Sequence, residues 1–135
     1  MPREMPTHDS VKVWFALEIQ RLGDSLKFNP DDIANDLVAT AQAFPDPVVY
    51  QRAMQEVLHQ IDVIRGTKPG IDMKHGMSGW RRHAFQSDRH ARGTNADLRI
   101  VYRQAPDGAV EIFGFGHRRI PYDVYLRLRK RLSPP

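Results

Sequence analysis

A chain of 135 residues with 41% hydrophobic and 27% charged side chains has the composition of one folded globular domain, which excludes a disordered chain. It contains no cysteine, which excludes disulfides, thiolate metal ligands and cysteine nucleophiles. The longest apolar run covers only residues 13–17, and the N-terminus lacks the apolar core of a signal peptide. We therefore expect a cytoplasmic protein that does not bind membranes.

Positive charge is concentrated in the second half of the chain. Residues 1–70 carry 7 basic and 10 acidic side chains, whereas residues 71–135 carry 13 basic and 6 acidic ones, 11 of the basic residues being arginine. Arginine has a planar, permanently charged group whose geometry suits phosphate. The basic half therefore suggests an anionic partner, most commonly a nucleic acid, although a solvated basic surface is the alternative.

The first half predicts a tail, a strand and two helices. Residues 1–10 contain prolines without periodicity and are expected to form a loose tail. Residues 11–20 alternate between apolar and less apolar positions, which favours a strand, although the spacing of Val11, Phe15 and Ile19 also fits a helix. The pairs Asn29-Pro30 and Asp46-Pro47 each indicate a helix start, and the two amphipathic helices that follow are expected to pack as an antiparallel pair.

The second half predicts an antiparallel sheet and a final helix. After a glycine-rich loop at 66–79, strands are expected at 80–86, 98–104 and 110–115, with a hairpin turn at Asp107-Gly108 and a long polar loop at 87–96. A helix is expected at 121–132. The order of elements indicates an α+β fold with an N-terminal strand, a two-helix hairpin, a three-stranded meander and a C-terminal helix, the helices covering one face of the sheet.

Three short motifs in the basic half occur in a characteristic order. They are Trp80-Arg81-Arg82-His83, then Asp97-Leu98-Arg99-Ile100-Val101-Tyr102-Arg103, then Gly116-His117-Arg118. With the order of elements, they resemble the RelE/ParE toxin superfamily. The resemblance covers 79–132 well and 11–65 only as a pattern of elements. It implies a single RelE-like domain at 11–132, with its basic sheet region at 79–132 and a short tail at 133–135.

The resemblance also implies a function. RelE-like members are bacterial toxins that cut mRNA in the ribosomal A site and are neutralised by a cognate antitoxin, whereas ParE-like members inhibit DNA gyrase. The RelE-like reading therefore implies an endoribonuclease that contacts mRNA, rRNA and an antitoxin and uses no metal or cofactor. The long 87–96 loop and the long N-terminal region depart from compact members, which leaves open a non-catalytic RNA-binding or ribosome-binding member.

Matching the motifs position by position implies the site residues. The catalytic set would comprise Arg81, His83, Arg99, Arg118 and Tyr125, with Tyr122 or His117 as alternative proton-transfer groups. We also expect contacts to RNA from further basic side chains, namely Lys74, Arg82, Arg89, Arg92, Arg103 and Arg119. The widely spaced histidines at 75, 83 and 90 do not form a recognisable metal-binding motif, so we expect no metal.

The hairpin offers a geometric test of this site. A two-residue turn at 107–108 pairs Arg99 with Gly116 and places Arg118 on the same face, whereas a three-residue turn would place His117 beside Arg99. We favour the first register because it separates apolar from basic side chains. The glycines at 114 and 116 would then leave the basic face open to a phosphate, with His83 and a tyrosine nearby to transfer protons.

Overall fold

The computed structural model describes residues 6–74, 77–88, 96–119 and 123–132. Within these ranges the chain has an α+β fold in which α-helices pack on a mixed five-stranded sheet. In chain order the elements are α1 (His8–Gln20), β1 (Leu26–Phe28), α2 (Pro30–Ala43), α3 (Pro47–Thr67), β2 (Ile71–Asp72), β3 (Arg81–Phe85), β4 (Leu98–Gln104), β5 (Val110–His117) and α4 (Val124–Leu132).

The first element is a helix, so the predicted N-terminal strand is wrong. Thr7 and Ser10 form a capping box: the Thr7 side chain accepts the Ser10 N–H, and the Ser10 hydroxyl accepts the Thr7 N–H. The buried residues of α1 are Val11, Phe15 and Ile19, spaced one helical turn apart. Residues 8–10, expected in the tail, form the first turn of this helix.

The two proline-started helices are confirmed, but their packing differs from the prediction. The Asn29 carboxamide accepts the N–H groups of Asp31 and Asp32, and the Asp46 carboxylate accepts the Val48 N–H. Helix α3 packs mainly against α1, while α2 lies along β5, so the expected antiparallel pair does not form the main contact. None of the helices in the described ranges is long and apolar enough to cross a membrane.

The three predicted strands are confirmed as β3, β4 and β5, and two short strands extend the sheet. The strand order is β1-β5-β4-β3-β2, with β1 parallel to β5 and the other neighbours antiparallel. Strand β1 has three residues and β2 has two. Segments this short are too brief to show a period-2 pattern, which explains why the sequence did not predict them.

Helices cover both faces of the sheet, so the prediction of a single helical face is wrong. On one face, Leu98 and Ile100 of β4 belong to the main core formed with α1, α2 and α3. On the other face, Val101 packs with Val124 and Leu128 of α4 in a second, smaller cluster. We call the first the core face and the second the α4 face.

The β4–β5 hairpin reaches the predicted register by an unexpected route. Gln104 pairs with Val110 and the Ala105 N–H donates to the Ala109 carbonyl at 2.8 Å, so three residues, 106–108, form the turn instead of two. A bulge in β5 opposite the Val101/Tyr102 step then adds one residue to that strand. Beyond the bulge Arg99 pairs with Gly116, as predicted.

Candidate functional site

Arg99 and Arg118 lie on the α4 face, at the same end of the sheet. Arg99 pairs with Gly116, and the Arg118 N–H donates to the Asp97 carbonyl at 3.0 Å, which continues the same register by one diagonal step. The Arg99 guanidinium donates to the carbonyl oxygens of Ala96 and Leu98, each at 2.9 Å. The Nε of Arg118 is buried without a hydrogen-bond partner among the described residues.

His83 and Arg81 lie on the core face, so the structure does not bring them to Arg99 and Arg118. His83 pairs with Ile100, and the strand residue opposite Arg99 is Ala84. The Nε2 of His83 lies 2.6 Å from the Gln60 carboxamide oxygen on α3. The expectation that His83 shares a face with Arg99 is therefore wrong, because successive strand residues point to opposite faces and Arg99 lies opposite Ala84.

Arg81 is held by backbone and carboxylate groups at the edge of the sheet. Its Nη2 donates to the Gly70 carbonyl at 2.8 Å, and its Nε lies 3.6 Å from the Asp72 carboxylate. On the same face the Tyr102 hydroxyl donates to the Pro69 carbonyl. These contacts hold the segment at residues 69–70, just before β2, against β3 and β4. They indicate a structural role for Arg81.

Burial lowers the pKa values of His83 and His117 below the ordinary value of 6.5. His117 is on the core face, where its ring packs edge-on against Phe44 at 5.7 Å and its Nδ1 accepts the Arg119 N–H. For His117, nearby Arg119, Arg118 and Arg99 lower the pKa further, while Asp97 opposes them. Both imidazoles are therefore favoured in the neutral form in the folded protein.

This predicts a pH dependence of stability. Because the unfolded chain binds protons at these histidines more readily than the folded protein, the free energy of unfolding should fall as the pH drops through 6.5. The slope should be at most ~1.4 kcal/mol per pH unit for each histidine. Urea unfolding at several pH values should show a flatter dependence in the His83→Gln/His117→Gln variant, and equal slopes would contradict the assignment.

The two glycines of β5 do not leave the α4 face open, which corrects the prediction of a glycine-floored hollow. A Cβ atom at Gly114 would meet the Leu128 side chain and would lie 2.6 Å from Arg131 Nη1. A Cβ atom at Gly116 would meet the Arg127 guanidinium and would lie 3.3 Å from Val124. The glycines therefore allow α4 to approach the sheet closely, and helix atoms occupy the space predicted for a phosphate.

A basic cavity lies beside α4 instead. It has a volume of about 390 Å³ and is located where the segment around β2 meets β3 and α4. The Tyr125 hydroxyl is buried and has no hydrogen-bond partner among the described residues. Three cationic side chains and one carboxylate contribute to the lining, which consists of Ile71, Asp72, Met73, Lys74, Arg82, Tyr125 and Arg129. We call this cavity the tyrosine pocket.

The first turn of α4 positions the tyrosine. The Asp123 carboxylate accepts the Tyr125 N–H at 2.9 Å, in the manner of a helix N-cap. Tyr125 and Arg129 are four residues apart, so they lie one above the other on the flank of α4 that faces β3. The sequence analysis did not include Arg129 among the site residues, although its spacing of four residues from Tyr125 was a usable signal.

The other predicted RNA contacts have different environments. Lys74 and Arg82 line the tyrosine pocket, and Arg119 is exposed. The Arg103 guanidinium lies 4.2 Å from the centre of the Trp80 ring and forms a 2.9 Å ion pair with Glu111. Four positions lie outside the described residues, so the expectations for them stay untested: Arg89, Arg92, His90 and Tyr122.

Two further cavities are less suited to an anion. One, of about 450 Å³ beside β1, includes Asp32 and Glu111 in its lining; the other, of about 540 Å³ near the hairpin turn, includes Asp24 and Asp107. Neither lining contains a tyrosine or a histidine. Of the three cavities, the tyrosine pocket alone combines several cationic side chains with a tyrosine in the lining that the described residues form.

Within the described parts of the chain, no group of three or more histidine, aspartate or glutamate residues is arranged to hold a metal ion. Comparison of the chain with protein-family models, with curated proteins and with solved structures finds no match.

Proposed function

We propose that the protein is a RelE-like endoribonuclease that cuts mRNA in the ribosomal A site, without a metal or cofactor, and that a cognate antitoxin restrains it. The observation that carries this proposal is Tyr125, whose buried hydroxyl has no partner among the described residues, in the lining of a pocket that also includes Lys74, Arg82 and Arg129. Two further observations support the proposal. The pocket lies on the same side of the sheet as Arg99. Residues 79–132 also resemble the superfamily.

The chemistry of RNA cleavage assigns roles to these groups. Attack by the 2′-hydroxyl needs a base for its proton, an acid for the 5′-oxygen, and positive charge at the pentavalent phosphate. The Tyr125 hydroxyl would relay the proton: its oxygen accepts the proton of the 2′-hydroxyl while its own proton passes to the leaving 5′-oxygen. Arg82 and Lys74 supply charge at the scissile phosphate, and Arg99 and Arg118 bind neighbouring phosphates at their end of the sheet.

Primer extension on mRNA from cells that express the protein tests this proposal. Wild-type expression should produce cuts at a fixed position within codons, and Arg82→Ala should reduce them at least tenfold because it removes a phosphate contact. Arg21→Ala provides a matched control, since Arg21 is exposed on α1 and pairs only with Glu18 among the described residues. Intact mRNA in cells that accumulate folded wild-type protein would contradict the assignment.

A second candidate is a non-catalytic RNA-binding or ribosome-binding member of the superfamily. The position of His83 on the core face favours it, because the described lining of the tyrosine pocket then lacks the histidine expected to transfer a proton. Salt-sensitive binding of rRNA by the wild-type protein, with no cleavage, would support this function.

A supercoiling assay tests the ParE-like alternative, and we expect gyrase to remain active.

A further inference from the structure

Asp36 of α2 is a fully buried carboxylate that contacts two arginines of α4. Its Oδ1 lies 3.1 Å from Arg127 Nε and 2.7 Å from Arg131 Nη2. Its Oδ2 accepts hydrogen bonds from Arg131 Nη1 at 3.2 Å and from the Phe115 N–H at 3.3 Å. Burial raises the pKa of Asp36, and the contacts with the two arginines oppose that shift. We call these three charged side chains the α2–α4 clamp.

The clamp arginines also donate hydrogen bonds to the part of the β5 edge that β1 does not cover. Strand β1 pairs only with residues 110–112, so among the described residues the later part of β5 has no neighbouring strand on that side. The Phe115 carbonyl instead accepts Arg127 Nη2 at 2.6 Å, and the Phe113 carbonyl accepts Arg131 Nη1 at 3.0 Å. Side chains thus satisfy backbone groups that a longer β1 would otherwise pair.

Helix α4 depends on this clamp because its apolar contact is small. In this nine-residue helix the buried side chains are Val124 and Leu128. Arg127 and Arg131 lie one turn apart on the flank that faces α2, whereas Tyr125 and Arg129 lie one turn apart on the flank that faces β3. Because a helix is rigid over two turns, fixing the first pair fixes the rotation of the second.

We propose that Asp36 is a positioning residue, which sets the rotation of α4 through Arg127 and Arg131 and thereby holds Tyr125 in the lining of the tyrosine pocket. The consequence for RNA cleavage rests on the proposed function. The positioning itself concerns only the placement of α4 and is measured without RNA. Asp36, Arg127 and Arg131 are not among the described residues that line the tyrosine pocket.

Distances between spin labels test the positioning directly. The chain has no cysteine, so cysteines can be introduced at Leu126 of α4 and Val13 of α1, both of which are exposed. In the wild-type background this pair should give one narrow distance distribution, and Asp36→Asn should broaden it. Asp31→Asn on the same helix should leave it narrow, because Asp31 is exposed and its side chain forms none of the ion pairs found in the described residues.

A second label pair and a second variant separate positioning from unfolding. Labels at Val13 and Val38 report only on α1 and α2, and their distance should remain narrow in every variant. Arg131→Gln breaks the clamp from the α4 side without changing the core, and it should broaden the Leu126–Val13 distance in the same way. Amide exchange within residues 124–132 should accelerate at least tenfold in both clamp variants.

The outcomes distinguish the two proposals. If Asp36→Asn and Arg131→Gln both leave the Leu126–Val13 distribution narrow, the positioning role is overturned, whatever the protein does to RNA. If the distribution broadens and wild-type protein does not cut mRNA, the positioning role stands and the nuclease proposal fails. If both hold, ribosome-dependent cleavage should decrease in the two clamp variants and not in Asp31→Asn.

Discussion

Replacing Tyr125 with phenylalanine should abolish most of the proposed cleavage, by about 10²- to 10⁴-fold, the usual contribution of a positioned acid or base. The substitution removes a single oxygen atom from the tyrosine pocket. Since the Tyr125 hydroxyl has no hydrogen-bond partner among the described residues, the melting temperature should change little. Ribosome-dependent cleavage of a defined mRNA in vitro measures the first effect, and thermal unfolding measures the second.

Tyr102→Phe is the matched control for this experiment. The Tyr102 hydroxyl donates to the Pro69 carbonyl on the core face, away from the tyrosine pocket. Its removal should cost about 1 kcal/mol of stability, the typical net value of one hydrogen bond, while cleavage is retained. Wild-type cleavage by the Tyr125→Phe variant would show that this hydroxyl does not transfer a proton in the reaction.

Gly114→Ala should destabilise the protein by about 1–3 kcal/mol, the usual cost of overpacking, because the new methyl group would enter space occupied by α4. It would meet Leu128 and the Arg131 guanidinium, so α4 must move away from β5. Urea unfolding monitored by circular dichroism measures the loss. Cleavage should decrease as well, since the same helix carries Tyr125.

Gly66→Ala provides a control with the opposite expected effect on the free energy of unfolding. Gly66 lies within α3, and a Cβ atom there would have no heavy atom within 4 Å. Alanine should therefore stabilise the protein by about 0.4–1 kcal/mol, through lower entropy of the unfolded chain. If the two alanine variants proved equally stable, the close approach of α4 to β5 would be contradicted.

Local sequence signals predicted much of the fold. Asn29 and Asp46 revealed two helix starts because capping is decided by neighbouring residues. Helix α1 was misread because Val13 and Leu17, which are 61% and 58% exposed, produce an apparent alternation that burial does not follow. The second helical face was missed although Ile100 and Val101 are adjacent and both buried, a feature typical of strands that are covered on both sides.

The candidate site was less predictable because it depends on contacts between residues that are far apart in the sequence. The pairing of Arg99 with Gly116 agrees with the prediction only because the bulge in β5 offsets the longer turn, and the sequence indicated neither. The face of His83 depends on how β3 aligns with β4 across a long connection, which the motif did not determine. The tyrosine pocket depends on α4, whose arginines reach a carboxylate 91 and 95 residues earlier in the chain.

The hairpin carries its three-residue tip and its bulge within a few residues of each other. Compared with a straight hairpin that turns on residues 107 and 108, the tip shifts the pairing by one residue and the bulge shifts it back. The two registers therefore differ only between the tip and the bulge, and both pair Arg99 with Gly116. Arg103 distinguishes them, because it lies opposite Glu111 in the observed register and would lie opposite Ile112 in the straight one. The 2.9 Å ion pair between Arg103 and Glu111 thus favours the bulged hairpin.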